Sequence, residues 1–159
     1  MKRWFTPLVL AAAGVLLAAP ARAQQKDLVE TAVAAGSFKT LAKLLTEANL
    51  IGVMKSPGPF TVFAPTDEAF AKVPKETLEA LGKDKAKLAR VLQYHVLTSR
   101  WTTDDLKLVK QAGTAEGQSV TITVSGNTIT INNAKIVQPN VGASNGVIQV
   151  IDAVLMPPK

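Results

Sequence analysis

The stretch Phe60-Thr61-Val62-Phe63-Ala64-Pro65-Thr66-Asp67-Glu68-Ala69-Phe70 packs a strand, a stop and a helix start into one short run. Aromatic and β-branched residues suit a pleated surface, so Phe60 to Ala64 reads as a strand. Pro65 lacks an N–H and ends it. Thr66 then has the chemistry of a helix cap, and Asp67 and Glu68 fall in the first turn, where the helix dipole favours negative charge. Phe60, Val62 and Phe63 are expected in the core, and Thr66 with Asp67 at the cap.

Upstream of this segment the pattern is helical. Asp27 and Glu30 have capping-box spacing and open a short helix that ends at Ala35-Gly36. Ser37 is the next expected cap, ahead of Phe38, Leu41, Leu44, Leu45 and Ala48 at helical spacing. Downstream, Pro74 suits a helix start and Gly82 its end. Asp84 caps a longer helix with Leu88, Val91, Leu92, His95 and Val96 along one face. Beyond Thr98 the period becomes alternating, apart from a turn of helix at Thr103-Asp104-Asp105. Val120, Ile122 and Val124 share one face, and Ile129 and Ile131 repeat the alternation after the turn Ser125-Gly126-Asn127. Asn145-Gly146 marks a second turn before the strand Val147 to Ile151. A helical N-terminal half and a strand-rich C-terminal half define an α+β domain with antiparallel strands.

Residues 1–23 have the layout of an export signal. Lys2 and Arg3 precede an apolar run from Trp4 to Ala19, Pro20 breaks it, and Ala21-Arg22-Ala23 offers a cleavage site. The expectation is a cleaved signal peptide at 1–23 and one domain at 24–159, periplasmic or secreted, with no membrane span in the mature chain. The whole chain has 18 basic and 12 acidic residues. Loss of Lys2, Arg3 and Arg22 leaves 15 basic residues and a net charge of +3. The remaining lysines are dispersed and aromatic residues are few, which argues against nucleic-acid binding. The chain has no cysteine, so thiol nucleophiles, disulfides and thiolate metal sites are excluded.

Three segments together resemble the fasciclin family. Phe60 to Phe70 is similar to its first signature box, and Tyr94-His95-Val96 to its central Tyr-His motif. Ala143-Ser144-Asn145-Gly146-Val147-Ile148-Gln149-Val150-Ile151-Asp152, continuing to Pro158, is similar to its second box. One departure is Gln149, where the family often has histidine; glutamine keeps a hydrogen bond but does not titrate. The resemblance implies a fasciclin-like β-sandwich or wedge with helices packed around it. It also implies adhesion or matrix association, and through the Tyr-His motif it offers Tyr94 and His95 as binding residues.

His95 is the only histidine. On an apolar stripe, it is expected to be a buried, hydrogen-bonded core residue that tolerates leucine, with the adhesive role of the Tyr-His motif kept as the alternative. Asp152, after a β-branched run, is read as a carboxylate accepting backbone hydrogen bonds rather than a catalytic one. No Gly-x-Ser-x-Gly elbow, phosphate loop or metal-ligand spacing is present, so no catalytic residue, metal or cofactor is assigned. The expected function is non-catalytic binding of matrix polysaccharide or surface protein outside the cytoplasm. The alternative is a carrier or sensor of a small apolar ligand, held in a cavity between helices and sheet.

Overall fold

The computed structural model describes residues 26–158; the expected signal peptide lies outside them. Three helices come first, α1 (Leu28–Ala35), α2 (Lys39–Glu47) and α3 (Ile51–Lys55), then strand β1 (Phe60–Pro65). Helices α4 (Asp67–Ala71), α5 (Lys75–Lys83) and α6 (Lys85–Tyr94) follow, then β2 (Val96–Leu97) and α7 (Thr103–Lys107). The rest is strand: β3 (Gln111–Gly113), β4 (Ser119–Ser125), β5 (Thr128–Ile131), β6 (Ala134–Ala143) and β7 (Gly146–Ile151).

The strands form one seven-stranded sheet in the order β2-β1-β7-β6-β5-β4-β3. Val62, Ala64, Ile148 and Val150 project from β1 and β7 into a core shared with α1 to α6. Phe63 and Ile151 project from the opposite face into a second core, where they meet Val120, Ile122, Ile129 and Ile131 of β4 and β5. Residues from opposite ends of the strand order share that second core, so the sheet curls over on itself. This is the expected α+β architecture, with α1 to α6 against one face of a closing β layer and α7 packed through Leu106 into the second core.

Burial on both faces explains two departures from the sequence reading. β1 does not alternate between core and solvent: Thr61 and Phe63 are fully buried, as are their neighbours, and only Phe60, at its start, is half-buried. β1 also pairs with β7 in parallel, from Phe60↔Gly146 to Pro65↔Ile151, whereas the C-terminal strands were expected to be antiparallel throughout. A parallel strand buried on both faces carries a continuous apolar run, because neither side needs a polar face.

Local signals held where the chemistry was self-contained. Asp27 forms the capping box with Glu30, and Gly36 ends α1 at φ 74°. Thr66 caps α4, and Asp84 caps α6 by accepting from the N–H groups of Ala86 and Lys87. Thr102 and Asp105 form a second capping box at α7. Other positions moved. Ser37 does not cap α2, Gly82 lies within α5 rather than at its end, and Val124 is exposed although Val120 and Ile122 are buried. His95 is the C-cap of α6, and Val96 belongs to β2 rather than to the helix. Helix α3 has too few apolar repeats to be read from sequence.

Candidate functional site

The motif residues converge on the seams between elements, and their polar atoms are used there. Asp67, the second residue after the β1 stop, caps a different helix from the one expected. Its carboxylate accepts from the N–H groups of Thr40 at 2.8 Å and Lys39 at 3.4 Å, at the uncapped start of α2. Its own N–H donates to the Ser37 carbonyl at 2.8 Å. Burial opposes ionisation of Asp67, but the hydrogen bonds from Thr40 and Lys39 and the Lys39 charge outweigh it, holding the carboxyl below the usual range. The first box therefore ties α2 to α4 across the front of the sheet.

Tyr94 and His95 are each 2 % exposed. The Tyr94 hydroxyl donates to the Ser119 carbonyl at 3.2 Å and accepts from the Asn132 side-chain amide at 2.9 Å. Asn132 itself sits at φ 53° in the β5–β6 turn, and its side-chain oxygen accepts from the Thr121 N–H. His95 Nδ1 lies 2.7 Å from the Val91 carbonyl, and Nε2 lies 2.9 Å from the Leu155 N–H. A carbonyl only accepts and an N–H only donates, so Nδ1 carries the proton and Nε2 is bare. The ring is neutral. Burial drives its pKa from 6.5 down to about 4, with the bond to Val91 pulling weakly the other way. Because both nitrogens are committed, this imidazole pins the C-terminal segment to α6 and has no atom left for a substrate proton.

Gln149 is fully buried on β7, opposite an irregularity in β6 between Gln138 and Val141. Its carbonyl accepts from the Asn140 N–H at 2.9 Å, and its amide donates to Asn140 Oδ1 at 2.9 Å and the Trp101 carbonyl at 3.1 Å. At the bulge Gln149 accepts from the Asn140 N–H that the ladder leaves unpaired, and its two amide donors go to the Asn140 side chain and the Trp101 carbonyl. A neutral histidine has one of each, so the residue at this position matches the bulge it faces. Asp152 fits its expected structural reading: it accepts from the Lys135 N–H at 2.8 Å and is half-buried.

Two residues that sequence reasoning missed do as much. Asn145 was read as half of a turn signal, yet its side chain accepts from the Leu28 N–H at 3.0 Å and donates to the carbonyls of Met54 and Ser56. It thus joins the start of α1 and the end of α3 to the β6–β7 turn. Thr61 donates to the Ser99 carbonyl at 2.6 Å and accepts from the Trp101 N–H at 2.7 Å. The Asn-Gly pair was the only trace of Asn145 in the sequence. Its partners lie 117, 91 and 89 residues away, so no local pattern records them.

The space between helices and sheet is small. The cavity under α1 and α2, lined by Leu28, Leu41, Leu45, Val62 and Ile148, measures ≈20 Å³. That is room for about one water molecule. Two larger depressions lie on the surface. One, of ≈380 Å³, runs between α7, the β4–β5 turn and β6, beside Thr103, Lys107, Asn127, Ile136, Val137 and Pro139. The other, of ≈300 Å³, runs between α5, α6 and the C-terminal segment. Among the described residues no group of three or more His, Asp or Glu side chains converges to hold a metal ion. No helix among them is long and apolar enough to cross a membrane.

A curled sheet with helices packed around it, whose distinctive polar residues serve its own seams, defines a scaffold domain. The comparisons identify which one. Residues 36–157 match the fasciclin domain model, and the chain belongs to that family. It is 42% identical over 130 residues to the uncharacterised protein sll1735 of Synechocystis, covering 82% of this chain and 97% of that one. It is 35% identical over 147 residues to the immunogenic protein MPB70 of Mycobacterium bovis, covering 87% and 75%. Among solved structures it is similar to a fasciclin domain pair from the insect cell adhesion molecule Fasciclin I. That match has a TM-score of 0.64 at 20% identity, over 79% of this chain and 47% of the other, and it shows the fold.

Proposed function

We propose that this fasciclin domain is a non-catalytic binding module that works outside the cytoplasm, attaching to matrix polysaccharide or to a surface protein. One observation carries the reading: the motif residues that invite chemistry are consumed inside the scaffold. Tyr94, His95 and Gln149 make all their polar contacts with this chain's own backbone and side chains. Tyr94 and His95 then serve binding by holding the framework, and the exposed faces meet the partner. The family membership and the export-type residues 1–23 support the same reading.

The α7–β6 depression is the face we assign to that contact. Thr103, Lys107 and Asn127 offer hydroxyl, ammonium and amide groups at its edge, and Val137, 56 % exposed, stands beside them. β6 is irregular at two places along this face, and bulges of this kind re-aim side chains at functional edges. Retention of the purified protein on cell-surface fractions and matrix polysaccharide columns tests the proposal. Retention that weakens with salt is expected, because exposed charges are screened. Val137→Asp and Lys107→Glu are expected to lower retention without changing the melting temperature. Loss of retention in neither variant would move the contact elsewhere, and no retention of the parent protein on any such surface would end the adhesion reading.

A further inference from the structure

We propose that the groove between α5, α6 and the C-terminal segment binds a carboxylate-headed aliphatic chain, a free fatty acid of medium length. This goes beyond the adhesive reading and does not rest on it. The floor is formed by Leu81 of α5, Val91 of α6, and Met156, Pro157 and Pro158. Pro157 and Pro158 have no N–H, so at these two positions the wall presents no backbone donor that needs water or a polar ligand. Met156 is 39 % exposed, and its unbranched thioether adapts to the shape of a chain laid against it.

The rim has the opposite character. Lys87 and Arg90 stand one turn apart on the same side of α6. Each already has one carboxylate neighbour, yet neither is saturated. Lys87 lies 3.6 Å from Asp84 in a pair whose side chains are 71% and 43% exposed, and exposed pairs of this kind hold weakly. Arg90 directs Nε and one terminal nitrogen at the same oxygen of Glu116, at 3.0 Å and 2.9 Å, which leaves its other terminal nitrogen unassigned. Glu116, its side chain 6% exposed, compensates Arg90, so the apolar trough ends at one loosely paired cation, Lys87, which is complementary to an anionic head on an alkyl tail. A neutral hydrocarbon makes no use of the rim, and a sugar finds no partner on the floor.

The groove is also preformed. Leu155 is fully buried and its N–H is held by His95 Nε2, so the segment that builds the wall is anchored immediately before the groove begins. Its ≈300 Å³ is at the lower end of the ~300–1,000 Å³ typical of small-molecule sites, which fits a medium chain. The cavity under α1 and α2, at ≈20 Å³, holds no such ligand, and the apolar pocket beside Met54 and Phe60 measures only ≈100 Å³.

Methionine-methyl NMR with decanoate separates these sites, because Met156 lines the groove and Met54 lines the smaller pocket. The expected result is a saturable shift of the Met156 methyl with Met54 unmoved, and no shift with decyltrimethylammonium, which has the same tail and the opposite charge. Lys87→Gln is expected to weaken decanoate binding about fivefold with an unchanged melting temperature. Pro158→Glu, which keeps the Met156 probe, is expected to abolish the Met156 shift. The proposal is overturned by the absence of saturation, by a response of Met54 alone, or by equal binding of the cationic amphiphile. Binding to anionic phosphatidylglycerol vesicles without binding to monomeric decanoate also overturns it, assigning the face to a bilayer surface instead.

Discussion

His95 makes the acid stability of this protein predictable from one side chain. In the folded chain the ring is neutral and fully buried, and its pKa is lowered from 6.5 to about 4. The unfolded chain therefore takes up a proton as the pH falls below 6.5, while the native chain resists until about 4. In that window the unfolded state binds more protons, so stability falls as the solution is acidified. The full effect is about 3 kcal/mol, of which about 2 kcal/mol is lost by pH ~5. For a domain of this size that corresponds to a drop in Tm on the order of 5–10 °C. Urea unfolding of the parent protein and of His95→Gln, at neutral pH and near pH 5, isolates the contribution. The variant is less stable at neutral pH, because the Leu155 N–H and Val91 carbonyl lose ideal partners, but it lacks the acid-linked loss. The gap between the two proteins should therefore narrow by about 2 kcal/mol on acidification. Parallel pH profiles for the two would refute the buried neutral imidazole. Since His95 is the only histidine, no other imidazole confuses the result.

The remaining predictions concern packing and seams. Phe63→Ala should cost ~3–5 kcal/mol in chemical denaturation, because the ring is fully buried in the second core. Asn145→Ala should cost ~2–4 kcal/mol and raise amide exchange at the start of α1, since it strands the Leu28 N–H and the Met54 and Ser56 carbonyls. Gly146→Ala should cost ~3 kcal/mol or more by the same denaturation measurement, because its Cβ would lie 2.0 Å from the Phe60 carbonyl oxygen and only backbone movement relieves that.

Leucine at position 95 illustrates the distance between a sequence pattern and a structure. The apolar stripe alone places His95 in the core and makes leucine a fair substitute. The structure corrects that: leucine would leave the Leu155 N–H and the Val91 carbonyl buried without partners, a loss of ~2–4 kcal/mol rather than a mild one. Thr66, Asp84 and Asp27 were legible as caps because donor and acceptor are within three residues of each other. Asp67 was legible only as an acidic residue near a helix start, since the helix it caps begins 28 residues earlier.

Sequence alone therefore determined the ordering of most helices before most strands, the caps Asp27, Thr66 and Asp84, the two hairpin turns after Ser125 and Ala143, and the family, all properties of neighbouring residues or contiguous motifs. Tertiary structure decided that β1 and β7 lie parallel between two cores, that Gln149 fills a bulge, and that Asn145 binds two distant segments. It also decided that the Tyr94 and His95 side chains face inward. The physical reason is that a buried polar atom must find a partner wherever the fold brings one, and that partner's position in the chain is not encoded near the atom itself.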